Sequence, residues 1–404
     1  MSEWEVRRLD EVADRIAVKN SAGHQRVLTV AAGHGLVDQE EYFNKRVASA
    51  DLSGYWVVEP GDFVYNKSTS KDAPWGVIAR WDGDEPAVVT SLYIVFRVRP
   101  VVESDYLLHA CNSTYFFDSL RGKLREGARA HGLLNVRLTE FLGAQLVVPP
   151  IAEQRRIVDV VATVDAQIVN MEQETQVLGR TYTAFLEEVA RSHPHKTVGS
   201  VVVVAQAGGT PSRQRPDFYG GDIPWLKSGE VDNDWIESAG EFISEAGLKG
   251  SSAKIVPSGS TVVAMYGQGD TKGRAGFVRK PVATNQAVLA LVPDETQIHP
   301  RLLLHAVRSQ TGALRSRAIG AAQPNLSKAL VTSHEIPVPT DIGSQQMIVD
   351  AADSLTRERT VLVDELARLR AFRSALLASL LNQEIEIPKT YYALTGRVSR
   401  DGLE

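Results

Sequence analysis

Cysteine is almost missing from this chain: Cys111 is the one thiol in 404 residues. That excludes a disulfide framework, leaves no Cys cluster for structural zinc, and suits a reducing cytoplasm. Long apolar runs are missing too. No window approaches the roughly 20 apolar residues of a membrane-spanning helix, and the opening Met1-Ser2-Glu3-Trp4 has no apolar leader. A cytoplasmic protein without membrane association is expected. Excess positive charge is also lacking: 44 Lys and Arg against 49 Asp and Glu leave a net charge of −5, which argues against a uniformly basic nucleic-acid binder. The remainder, 43% hydrophobic and 23% charged, is that of ordinary globules with length for two or three domains.

Catalytic signatures are equally scarce. The glycine-rich run from Gly267 to Gly276 fits neither the phosphate-binding Gly-x-x-x-x-Gly-Lys-Ser/Thr nor the dinucleotide Gly-x-Gly-x-x-Gly. There is no His-Glu-x-x-His, no paired Cys-x-x-Cys, and no Asn-Pro-Pro-Tyr/Phe or Phe-x-Gly-x-Gly of an amino-methyltransferase. The nine histidines are scattered. No catalytic, metal or cofactor site is expected within this chain.

What is present is a repeat. Between Ile157 and Val189 apolar residues fall at Ile157, Val161, Val164, Ile168, Met171, Leu178, Tyr182, Phe185 and Val189, with Thr175 the polar exception. Steps of four and three make an a/d seam, so one face of a long helix must meet a partner helix. At about 1.5 Å per residue the rod is roughly 50–60 Å long. Its opening, Gln154-Arg155-Arg156-Ile157-Val158-Asp159, returns 191 residues later as Gln345-Gln346-Met347-Ile348-Val349-Asp350. The same shift carries the seam onto Ile348, Ala352, Leu355, Arg359, Leu362, Leu366, Leu369, Arg373, Leu376 and Leu380. Arg359 and Arg373 interrupt it; they are expected to fix the pairing register or to meet a partner.

The resulting fold is α+β: two mixed domains alternating with two long helices that pair as an antiparallel coiled coil. Residues 1–150 form the first domain, 151–193 the first helix, 194–340 the second domain, 341–386 the second helix, and 387–404 a tail or small docking piece. In the first domain strands are expected at Tyr55–Glu59, Asp62–Tyr65, Trp75–Arg80 and Val88–Val98, with a helix from Ser104 to about Arg125. In the second, Val198–Val204 reads as a buried strand. Glu59-Pro60-Gly61-Asp62 corresponds to Pro257-Ser258-Gly259-Ser260, Val89-Thr90-Ser91 to Ala283-Thr284-Asn285, and Asn135 to Asn325.

Charge is unevenly spread. Across Lys272–His334 nine Lys or Arg face only Asp294 and Glu295, and Asp118–Arg137 is also basic. The stretch from Met265 to Arg274 follows a strand and combines glycines, which let backbone approach a phosphate, with Thr271, the cations Lys272 and Arg274, and Gln268, which can read a base edge. Arg315, Arg317, Gln323 and Asn325 form a second polar, cationic loop before the second helix. The first-half counterparts are Lys67, Ser68, Thr69 and Lys71, with Arg121, Lys123, Arg125 and Arg129. One such loop is ordinary surface charge; the same placement in both halves points to double-stranded DNA. A coiled-coil adaptor that never touches DNA is the competing reading, and it suits the acidic net charge.

The layout resembles the specificity subunits of type I restriction–modification systems. The resemblance rests on Val148-Pro149-Pro150-Ile151-Ala152-Glu153-Gln154, its degenerate copy from Val338 to Val349, Gly208-Gly209-Thr210-Pro211-Ser212 with Gly221-Asp222-Ile223-Pro224-Trp225-Leu226, and Gln323-Pro324-Asn325-Leu326-Ser327. It covers essentially residues 1–385. Two departures stand out: Ser344 where Glu is usual, and no Gly-Gly-Thr-Pro-Ser in the first half. The resemblance implies two target-recognition domains that each read one half of an asymmetric, bipartite site with an unread spacer. It implies as partners two modification (methyltransferase) subunits and restriction (translocase/nuclease) subunits, carried on helix faces with Glu172, Glu174, Glu187 and Arg357. S-adenosylmethionine, Mg²⁺ and ATP would belong to those partners, which methylate adenine and restrict DNA.

Overall fold

A computed structural model describes residues 4–31, 35–68, 73–121, 125–126, 134–231, 235–267, 271–319 and 325–395. The chain folds as two compact units, Met1–Val169 with Ala367–Glu404, and Asn170–Leu366. Each unit takes one globular domain together with one end of each long helix.

In the first unit Glu5–Arg8 pairs antiparallel with Gln145–Val148, the strand that runs into the first long helix, Ile151–Ser192. The central sheet has four antiparallel strands in the order Ala13–Ile16, Ile94–Val98, Phe63–Asn66, Val77–Arg80. Helices Ser104–Cys111, Thr114–Ser119 and Leu138–Leu142 complete the domain, and Tyr65 stacks on Phe141 in its core.

The second unit repeats this plan. His195–Thr197 pairs with Glu335–Pro337, which leads to the second long helix, Ile342–Leu381. Its four-stranded antiparallel sheet runs Val202–Ala207, Val288–Pro293, Thr261–Ala264, Ala275–Phe277, the same chain order as in the first. Helices Pro300–Ser309, Thr311–Ile319 and Lys328–Thr332 follow in the corresponding places. The aligned turns also agree in backbone: Gly61 and Gly259 have φ of 88° and 87°, a region that favours glycine. A second, mixed sheet, in which Tyr219–Leu226 pairs with Val282–Thr284, adds to this half.

The long helices pair antiparallel. In the first unit Ile157, Val158 and Val161 near the start of one share a core with Leu377, Leu380 and Leu381 at the end of the other. In the second, Val189 lies in one core with Ile348 and Val349. The seam residues are buried or half-buried apart from Arg359, whereas Val169 and Val177 off the seam are exposed.

Each lead-in hangs on its glutamine. Gln154 donates from Nε2 to the Pro149 carbonyl (2.7 Å) and accepts the Glu103 N–H at Oε1 (2.8 Å). Gln345 does the same with the Pro339 carbonyl (2.9 Å) and the His299 N–H (2.6 Å). Both side chains are fully buried. The amide thus ties the first turn of each long helix to the N-cap of a domain helix. A buried group with both donor and acceptor used explains why this residue recurs in both repeats.

Three expected elements differ. The helix from Ser104 to Arg125 is two helices, because Ser113 caps the second through the Phe116 N–H and Asn112 turns its amide onto Ile78 in the neighbouring strand. The run Val88–Val98 is two strands in different sheets, since the Tyr93 N–H closes a turn onto the Thr90 carbonyl. Val198–Val204 begins as a 3₁₀ turn, Val198–Ser200, and its strand lies at a sheet edge with Val203 63% exposed. Beyond the second helix, Tyr391–Thr395 is helical and Tyr392 donates its hydroxyl to Asp159 (2.8 Å), so the described part of the tail docks.

Candidate nucleic-acid interface

The cationic residues singled out in the second half converge. After the strand Thr261–Ala264 the chain returns at Thr271, and the Gly273 N–H donates to the Ala264 carbonyl (2.8 Å). Gly273 has φ of 81°, so the turn that presents Lys272 and Arg274 favours glycine there. Arg315 donates from Nε to the Lys272 carbonyl (2.7 Å), and Thr311 donates to the Gly273 carbonyl (3.2 Å). The Leu326 N–H, beside exposed Asn325, donates to the Met265 carbonyl (3.1 Å). Two segments some fifty residues apart in the chain therefore form one surface.

Arg315 and Arg317 do not lie in a loop as expected; they are on the helix Thr311–Ile319. Arg315 half-buries itself against the glycine turn, which makes it the turn's support. Arg317 meets His334 through Nη1 and Nδ1 (3.1 Å). Burial and that guanidinium hold the His334 imidazole below its ordinary pKa. Gln268 and Gln323 lie outside the described residues.

The first half has a comparable join: the Leu134 N–H donates to the Lys67 carbonyl (2.9 Å), and the Ser68 N–H to Asn66 Oδ1 (2.9 Å). Lys67 is half-buried, and desolvation lowers its pKa. Arg121 is exposed and pairs with Asp118 (2.6 Å). Arg125 stands in a short strand, paired with Asn135, rather than at a helix end. Thr69, Lys71, Lys123 and Arg129 lie outside the described residues.

The glycine motif has a packing role. A Cβ on Gly208 would collide with the Thr284 carbonyl, and one on Gly209 with Ser252 and the Ala253 backbone. This close approach lets Trp225 donate from Nε1 to the Gly209 carbonyl (3.0 Å), while Arg213 covers Tyr219 at 4.3 Å and pairs with Glu241. The two sequence motifs of this half are thus one packed unit.

One cluster was not anticipated. Within the second unit Tyr182 of the first long helix meets His305 Nδ1 (2.8 Å), and His305 Nε2 meets Asp353 of the second long helix (2.8 Å). Arg301 also pairs with Asp353 and lies over Trp235 at 4.2 Å. Burial would raise the Asp353 pKa, but the hydrogen bonds from His305 and Arg301 outweigh it and hold it at about 2. The seam position of Tyr182 was legible, but its polar partner 123 residues away was not. Among the described residues no group of three His, Cys, Asp or Glu is placed to hold a metal ion, and no helix is long and apolar enough to cross a membrane.

Two like domains, each opening a long helix through a buried glutamine, define a duplicated α+β architecture with paired helices. Residues 195–367 match the model of the type I restriction modification DNA specificity domain. The chain is 29% identical over 160 residues to the EcoR124I/EcoR124II specificity subunit of Escherichia coli (38% of this chain, 39% of that protein). It is 31% identical over 183 residues to the HindI specificity subunit of Haemophilus influenzae (44% and 39%). The matched regions thus span about two fifths of these relatives' lengths. In fold it is similar to the type I restriction–modification S subunit from M. genitalium, with a TM-score of 0.54 and 12% identity over 94% of this chain and 96% of that one. The resemblance read from the motifs is borne out, in sequence over the second half and in fold over nearly the whole chain.

Proposed function

We propose that this chain is the DNA-recognition subunit of a type I restriction–modification complex and that it has no chemistry of its own. Each domain reads one half of an asymmetric bipartite target through the major groove, where base edges are distinguishable. The helix pair sets the unread gap between them. Two modification subunits and restriction subunits bind the helix faces, and S-adenosylmethionine, Mg²⁺ and ATP are held by those cytoplasmic partners. The observation that carries the reading is the specificity-domain match over residues 195–367, set in a chain whose other half repeats the same strand order. The test is binding of the purified chain to duplex DNA across a salt series. Affinity falling steeply with salt supports recognition of DNA; salt-insensitive or absent binding favours a helical adaptor, and S-adenosylmethionine bound by the chain alone would contradict the non-catalytic assignment.

A further inference from the structure

A cavity of about 580 Å³ lies within the second unit, between its globular domain and both long helices. Three arginines line it, Arg274 from the glycine turn, Arg308 from the helix Pro300–Ser309, and Arg359 from the second long helix, along with the hydroxyls of Thr311 and Thr360. No carboxylate is among its described lining residues, although the chain as a whole is acidic. Asp353, six residues before Arg359 on the same helix, is already held by Arg301 and His305.

Arg359 is the unusual member. It occupies a position in the second helix's seam, which is otherwise apolar except at Arg373. Unlike Arg373, which pairs with Asp165, it is exposed and pairs with no carboxylate among the described residues. Opposite it on the first helix stands Gly179, and a Cβ there would lie 3.6 Å from Arg359 Nε. With Thr175 nearby, glycine opens the seam into a second cavity of about 530 Å³, which Arg359 also lines. An apolar seam interrupted by small and polar residues around an arginine without an acidic partner sacrifices helix–helix packing. The gain is a cation presented to whatever fills the cavity.

We propose that this arginine-lined cavity binds phosphates of the DNA backbone in the unread spacer beside the second half-site. The inference rests on the DNA-recognition reading above and adds a sequence-independent anchor on the helix pair to it. Arg359 and Arg274 neutralise phosphate charge, and Arg308, whose guanidinium also donates to the Ala275 carbonyl (2.9 Å), fixes the cavity wall. Such contacts position the duplex and carry no base information.

The full chain is titrated with a duplex holding its target, with an unrelated duplex of equal length, and with a target duplex whose spacer phosphates are replaced by neutral methylphosphonates. Arg359→Gln is expected to weaken both ordinary duplexes by the same factor, about three- to tenfold near 0.1 M salt, and to reduce the salt slope by about one. Arg359→Lys restores most of the affinity. The methylphosphonate duplex is bound more weakly by the unaltered chain, and Arg359→Gln adds little further loss. The proposal is overturned if Arg359→Gln binds both duplexes with unaltered affinity and slope, or if neutral spacer phosphates penalise both proteins equally. If the unaltered chain binds no duplex at any salt concentration, the recognition reading itself fails and this inference with it.

Discussion

Arg373 of the second long helix and Asp165 of the first face each other across the seam, with Arg373 Nη2 at 2.9 Å from Asp165 Oδ2. Both are partly exposed, so their attraction is screened and their main effect is on register: a slip of either helix separates them. Arg373→Leu alone should destabilise the protein by about 1 kcal/mol, since it strands the half-buried Asp165 beside the seam. Combining it with Asp165→Leu should recover most of that loss. Urea midpoints of the four proteins in the double-mutant cycle measure the coupling, and additive effects would show that the pair does not set register.

The two lead-in glutamines make a stronger structural prediction. Gln154→Ala and Gln345→Ala each leave a buried N–H and a buried carbonyl without partners, which should cost about 1–3 kcal/mol. Both variants lose the same two hydrogen bonds, and Gln345 also donates to the Gln297 carbonyl (3.2 Å), so urea unfolding should show Gln345→Ala losing at least as much as Gln154→Ala.

Much of this architecture was legible from the chain because it is local. The heptad seam depends on spacing alone, and the repeated Gln-x-x-Ile-Val-Asp marked both helix starts. Arg359 and Arg373 were recognisable as exceptions, but Asp165 as a partner was not, because the pairing depends on which turn of one helix meets which turn of the other. The glutamine was visible as a repeat, whereas its task of holding the Glu103 and His299 N–H groups needed tertiary structure. Val88–Val98 misled because a β-rich composition conceals a turn closed by one backbone hydrogen bond, from Tyr93 to Thr90. Lys272 and Arg315 were both singled out, but their meeting rests on folding a helix back onto a glycine turn.

Acid should loosen the first unit before it titrates most carboxylates. Burial, with the Arg373 guanidinium close by, holds the His109 imidazole down at about 4 against an ordinary 6.5. A histidine with a depressed folded pKa binds protons more readily when unfolded, so stability is full above about pH 6.5 and falls as the pH drops towards 4. The loss at the lower end is on the order of 3 kcal/mol. Urea unfolding of the native chain and of His109→Gln between pH 7 and pH 4 checks this: the variant should show a shallower acid limb.

Gly208→Ala should be severe, since its Cβ meets backbone that cannot move without parting the strand from its neighbour. A destabilisation of at least about 2 kcal/mol is expected, with loss of Trp225 burial readable by fluorescence. Gly229→Ala, whose Cβ would meet nothing within 4 Å, should leave stability within about 0.5 kcal/mol of the native chain.

The most direct test of the recognition role is a map of DNA methylation. The chain is co-expressed with a type I modification (methyltransferase) subunit that forms a stable complex with it, in a host lacking adenine methylation, and N6-methyladenine is located by single-molecule sequencing. The account predicts methylation at an asymmetric two-part motif with a fixed gap, abolished when this chain is left out. Methylation that persists without the chain, or none from a stably assembled complex, would contradict it.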